Sequence, residues 1–218
     1  MLVPTGRIER WCTNFATRHG RADLTVGDGR VVVSGEDGAR ASIALPFSGE
    51  YGGPADLDAL VADAAAPDRW GVLLVRKGGF AVAVVAGDRV IASKVGQRHV
   101  QGRTKAGGQS QQRFARRRDN QARQAYEAAA EHAHRVLVGE AGGALAALVC
   151  GGDRAAVDAV LTDPRLARVA AVRAGAWLAV PDPRRAVLDQ AVVDALSLVV
   201  EVHDPAAPEG STAPGAAR

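Results

Sequence analysis

Residues 70–95, WGVLLVRKGGFAVAVVAGDRVIASKV, leave little choice of local structure. Two dense, valine-rich apolar runs flank Lys77-Gly78-Gly79, and a third run follows Gly87-Asp88, so the connections are short enough to join antiparallel neighbours in a meander. The next segment, GQRHVQGRTKAGGQSQQ, has almost no apolar side chain. It cannot contribute to a core and must be a surface loop. From about Ser110 to Val138 a helical stripe returns through Ala115, Ala122, Tyr126, Ala129, Ala133 and Val136, and Gly139 and Gly142-Gly143 supply stop signals. Beyond it, ALAALVCGG reads as a buried strand, DRAAVDAVLTD as a helix, VAAVRAGAWLAV as an edge strand or strand pair, and PRRAVLDQAVVDALSLVVEV as a closing helix. The expected fold class is therefore α/β of the α+β kind, a mixed sheet with helices packed on it.

The segment before this domain is smaller. Ile8, Trp11 and Phe15 recur at helical spacing, and LTVGDGRVVVSGEDGARASIALPF gives three β-rich runs separated by Gly-Asp-Gly and Glu-Asp-Gly turns. Residues 1–50 should form an αβββ unit. Residues 51–68 read as a linker in which Pro54 starts a short helix and Pro67-Asp68 ends it. Residues 69–203 form the main domain, and 204–218, DPAAPEGSTAPGAAR, a disordered tail.

With 47% hydrophobic and 23% charged residues the chain has globular composition, which excludes wholesale disorder. No stretch approaches the roughly 18 uncharged apolar residues of a membrane span, and Arg7, Glu9 and Arg10 occupy the place of a signal peptide's apolar run. A cytoplasmic protein without membrane partners is expected. Cys12 and Cys150 have no metal-type spacing and read as free thiols.

Charge is concentrated. Between Lys94 and Arg123 stand nine basic residues, Lys94, Arg98, Arg103, Lys105, Arg113, Arg116, Arg117, Arg118 and Arg123, against one acid, Asp119; this window carries +8 in a chain whose net charge is +3. An otherwise acidic body with one basic protrusion points to a polyanion such as nucleic acid. Arg113, Arg116, Arg117 and Arg118 crowd a helix start, where the macrodipole is already positive, so an anion would relieve them. Phosphate held by arginine forks fits that requirement. Gly107 and Gly108 lack side chains, so the loop tip can enter a narrow space with unusual backbone angles. Like charges and two glycines also predict that residues 96–108 are mobile until RNA orders them.

The stretch AGGQSQQRFARRRDNQARQAYEAAAEHAHRVL resembles the catalytic middle domain of archaeal and eukaryotic class I release factors. The residues that carry the likeness are Gly107, Gly108, Gln109, Ser110, Arg113, Phe114, Ala115 and Arg116, together with the strand pair before them and ALVCGGDRAAVDAVL after them. It covers roughly residues 69–202. Fewer than 70 residues precede this region, none resembling a codon-reading domain, and no GTPase-contacting third domain follows, so the layout is most similar to the actinobacterial branch of Vms-like release factors. The resemblance implies a peptidyl-tRNA hydrolase that frees stalled nascent chains without a stop codon. It implies the large ribosomal subunit and peptidyl-tRNA as partners, not DNA, and no cofactor. Eukaryotic relatives in that branch imply an alternative, cleavage of the tRNA near its acceptor end. A non-catalytic ribosome- or RNA-binding module is a third reading.

The expected catalytic residues are Gly107, Gly108 and Gln109. Gln109 can offer a backbone N–H and a side-chain amide to a water and a developing oxyanion, but an amide is no general base. The expected RNA contacts are Arg98, Arg103, Lys105, Arg113, Arg116, Arg117, Arg118 and Arg123. No G-x-S-x-G, H-E-x-x-H or P-loop pattern occurs. His132 and His134 lie two apart on the helix, face different ways and are expected in solvent, so no metal site is expected. His99, in the basic loop, is the residue on which a nuclease would draw.

Overall fold

The structure is a computed structural model that describes residues 1–77, 79–97, 110–139 and 143–204, without the side chains of 48 and 110–122. The expected mobility of 96–108 and the disorder of the tail therefore fall largely or wholly outside the described residues. The chain separates into two compact units, residues 1–45, 49–63 and 198 onward in one, and 46–48 and 64–197 in the other.

The first unit holds β1 (Leu2–Pro4), α1 (Ile8–His19), β2 (Ala22–Gly27), β3 (Arg30–Gly35), β4 (Arg40–Ala44), α2 (Leu57–Asp63) and, from the far end of the chain, β10 (Ser197–His203). Its sheet runs β1-β10-β4-β3-β2. Asp28 and Gly29, at φ 51° and 70°, form the two-residue turn between β2 and β3, the left-handed pair that matches hairpin twist. Val31, Val33, Ala41 and Ile43 alternate inward and are buried with Ile8 and Phe15 of α1. The helix in the expected linker starts later than Pro54 predicts. Asp56 accepts a 2.9 Å hydrogen bond from the Ala59 N–H and so caps a helix beginning at Leu57.

The second unit holds β5 (Trp70–Arg76), β6 (Gly79–Ala86), β7 (Arg89–Gln97), α3 (Ser110–Leu137), β8 (Leu148–Gly152), α4 (Arg154–Leu161), α5 (Ala167–Ala171), β9 (Arg173–Leu178) and α6 (Arg185–Ala195). The sheet order is β7-β6-β5-β8-β9. β5, β6 and β7 form the antiparallel meander, while β8 pairs parallel to both β5 and β9. It is the expected mixed sheet.

The strands are nearly continuous in apolar residues because both faces are covered. Leu73, Val75, Phe80, Val82 and Val84 point to a core shared with Ala129, Ala133 and Leu137 of α3 and Val157 and Val160 of α4. Trp70, Val72, Leu74, Ala81, Ala83 and Val85 point the other way, to Leu188, Ala191 and Val192 of α6. At about 25 cal/mol per Å² each fully buried Leu or Val side chain contributes roughly 1.5–3 kcal/mol, so two such layers account for a rigid scaffold. Asp153 caps α4 through the Ala155 N–H at 3.0 Å.

Two expectations are corrected. The closing helix over the segment from Pro183 to Val202 ends at Ala195, and Ser197–His203 is a strand antiparallel to β4, with Val200 opposite Ile43. The segment VAAVRAGAWLAV contributes the end of α5 before it becomes the edge strand β9.

Candidate functional site

The basic segment 98–109 connects the end of β7 to the start of α3; β7 is a strand of the second unit's sheet, and α3 packs on that sheet through its C-terminal half. α3 is held by Ala129, Ala130, Ala133 and Leu137, all buried; small alanines let the helix backbone lie close to the sheet. β7 runs on through Gly96 and Gln97, beyond the Val95 that the sequence predicts, because Gln97 pairs with Gly79 and Gly96 with Phe80.

This last pair is tight. A Cβ on Gly96 would stand 2.3 Å from the Phe80 ring, and one on Gly79 would stand 2.5 Å from the Gly96 carbonyl oxygen, so neither position has room for a side chain. The Phe80 ring covers Gly96 and also stacks on His132 of α3, with centroids 5.2 Å apart and planes at 22°. Gly96, Phe80 and His132 thus form one layer from the strand that enters the loop to the helix that leaves it. His132 is half-buried, contrary to the expected solvent exposure. Burial first, then the charges of Arg135 and Lys94, push its pKa below the ordinary histidine value, so the ring is neutral at physiological pH. Beside the stack lies a cavity of about 240 Å³ lined by Val75, Phe80, Gln97, Tyr126 and His132. The Tyr126 hydroxyl is pushed up chiefly by burial and secondarily by Asp153.

The predicted site residues fall in three groups. Gly107, Gly108, Gln109, Arg98, Arg103, Lys105 and His99 lie outside the described residues. Arg113, Arg116, Arg117 and Arg118 lie in the first turns of α3, whose helical backbone begins at Ser110; their side chains are outside the description. Arg123 is exposed and sits 3.9 Å from Glu127 one turn on, an ion pair loose enough to leave the guanidinium available. It borders a groove with Tyr126, Thr162, Asp163 and Arg165.

On the far wall of that groove, Arg165 joins Asp163 at 2.7 Å and Glu131 of α3 at 2.8 Å. Its guanidinium holds Asp163 down to about 2 and lowers Glu131 as well. This network fastens α3 to the turn before α5. Among the described residues no group of His, Cys, Asp and Glu could hold a metal ion. Cys12 and Cys150 are free, and burial raises their thiols to about 11 and about 12 respectively. Neither is a thiolate nucleophile at neutral pH.

Sequence reasoning missed Phe80, Gly96 and the packed role of His132. The available signal was a glycine at each of two strand positions, 79 and 96, which marks close backbone approach only once the strand register is known.

Comparison with known proteins follows the same segment. Residues 68–201 match the Actinobacteria/chloroflexi VLRF1 release factor family. No curated protein matches the chain in sequence. Among solved structures, the chain is similar to the crystal structure of an archaeal translation termination factor, aRF1, at 14% identity and a TM-score of 0.40, over 88% of this chain and 61% of that one. The chain spans less than two thirds of that factor's length.

Proposed function

The chain belongs to the VLRF1 release factor family of Actinobacteria and Chloroflexi, and from that membership we propose that it hydrolyses the peptidyl-tRNA ester on the large ribosomal subunit, freeing stalled nascent chains without a stop codon. It acts as a ribosome-dependent esterase in the cytoplasm and needs no cofactor.

One observation carries this reading. Gly107-Gly108-Gln109 stands directly before the first residue of α3, in the basic segment between β7, which pairs with β6, and a helix whose C-terminal half packs on the same sheet. The arginines of α3's first turns take the RNA phosphates, which orient without reading sequence. The two glycines let the tip approach the ester, and Gln109 directs a water onto the carbonyl while its N–H groups stabilise the oxyanion or the departing 3′-oxygen. The proton leaves through the ribosome or the tRNA, since an amide cannot accept it.

The test is the chemical identity of the product. Large subunits carrying peptidyl-tRNA are incubated with the protein, and the released material is analysed by mass. Free peptide with a full-length tRNA is the expected result. Peptide bearing 3′-terminal nucleotides would replace hydrolysis by tRNA cleavage, with His99 the first residue to examine, and no release would leave a binding module.

A further inference from the structure

Helix α1 of the first unit carries a second basic surface, far in sequence from the loop. At 3.6 residues per turn, Arg10, Asn14 and Arg18 fall within an arc of roughly 80°, and Arg7, the N-cap residue, stands one turn before Arg10. All four are exposed. The helix buries Ile8 and Phe15 on its other side and half-buries Trp11, whose ring stacks on Phe15 at 5.5 Å.

No acid answers these charges. Among the described residues, Arg7, Arg10 and Arg18 make no ion pair, whereas Arg30, Arg76, Arg135, Arg165, Arg173 and Arg185 each sit within 4 Å of a carboxylate; Arg40, Arg89, Arg168 and Arg184 make none either, but they are scattered over separate elements, while the three on α1 share one face. The acids nearest in sequence are turned elsewhere. Glu9 lies on the far side of the helix by the same geometry, Asp23 pairs with Arg21 at 3.7 Å, and Asp37, farther along the chain, is held by His19 at 2.9 Å. Acids outnumber bases over residues 1–63, so a helix face free of acid is not a consequence of composition. Helix stability does not explain it either: Arg18 is well placed near the C-terminal end, but Arg7 and Arg10 stand at the positive end of the macrodipole, where cations cost stability.

We propose that the α1 face of Arg7, Arg10, Asn14 and Arg18 binds the phosphate backbone of structured RNA. Arg7 to Arg18 spans about 16 Å along the axis, long enough to pass several successive phosphates of one strand. Three guanidinium forks and one amide along that length match a line of phosphates and carry no base-reading requirement. A membrane surface fits less well, because an interfacial helix inserts an exposed apolar face, and here the apolar residues are packed on the helix's own sheet. The inference does not depend on the chemistry of Gln109.

The test uses the full chain and a variant with Arg7, Arg10 and Arg18 all changed to Gln. Both are titrated with a 20-base-pair RNA duplex at several salt concentrations, with phosphatidylserine vesicles and with polyglutamate. Expected are an affinity for the duplex lowered at least tenfold near 0.1 M salt, and a log–log salt slope shallower by about 2–3. Thermal stability should be unchanged. Asn14→Arg, which adds a charge to the same face, should steepen the slope by about one, and it reads the face even if the triple variant folds poorly. An unchanged slope in both variants overturns the proposal. So does a loss of binding confined to vesicles or polyglutamate.

Discussion

A primary amide donates and accepts hydrogen bonds but cannot take a proton from water near neutral pH, and that limits what Gln109 can contribute. Its effect should lie in the transition state, where one lost donor costs on the order of a hundredfold or more. Gln109→Ala is therefore expected to lower single-turnover release from large subunits at least a hundredfold, with subunit binding within about twofold of the parent. A loss under about threefold, below 1 kcal/mol of barrier, would remove Gln109 from the chemistry. His132 makes a prediction of a different kind. Its pKa is depressed in the folded protein, chiefly by burial, so its contribution to stability is complete above the ordinary value of 6.5 and is lost as pH falls through the lowered folded value. Glu131, Arg135 and Lys94 are the charged groups around it. Melting of the parent between pH 7.5 and 5.5 should thus show a loss that His132→Phe, which keeps the stack on Phe80 and removes the titration, reduces. Equal losses in both proteins would show that the ring's environment does not disfavour its charge.

Helix α3 runs from Ser110, next to Gln109 in sequence, into the core, and its two ends answer to different physics. The C-terminal half is fixed by buried alanines and Leu137, while the first turns collect arginines against the helix dipole. Changing Arg116, Arg117 and Arg118 together to Gln should weaken association with ribosomal particles and make its salt slope shallower by up to about 2–3, while the melting temperature holds or rises slightly. An unchanged slope with collapsed stability would mean that these arginines pair with the protein's own acids. The helix, the β5-β6-β7 meander and β8 were legible in the sequence because their periodicity is local and their turns are short. β10 was not. Its residues SLVVEVH continue the apolar pattern of α6, and the partner that makes them a strand, β4, lies at Arg40–Ala44, more than 150 positions earlier. The Val199 and Val200 pair was the only local hint of a strand. β1, three residues long, offered none. The Phe80 layer was hidden for a related reason, since its residues come from β6, β7 and α3 and meet only through a register that no single segment states.

At the scale of the whole chain, the family's segment, residues 68–201, covers most of the second unit and runs on into β10, which lies in the first unit's sheet. The sequence reading placed the chemistry in this segment from its extended motif and basic charge, and it left the first unit without a role. The account rests on an active site completed by ribosomal RNA: the chain supplies Gln109 and phosphate-binding arginines, and the particle supplies the proton acceptor. The most direct test measures release from peptidyl-tRNA by the purified protein, with the ester either free in solution or bound on large ribosomal subunits, at the same substrate concentration. The account predicts hydrolysis on the subunits at least a hundredfold faster than on the free ester. Equal turnover in the two would mean that the catalytic site is complete within this chain, and would contradict it.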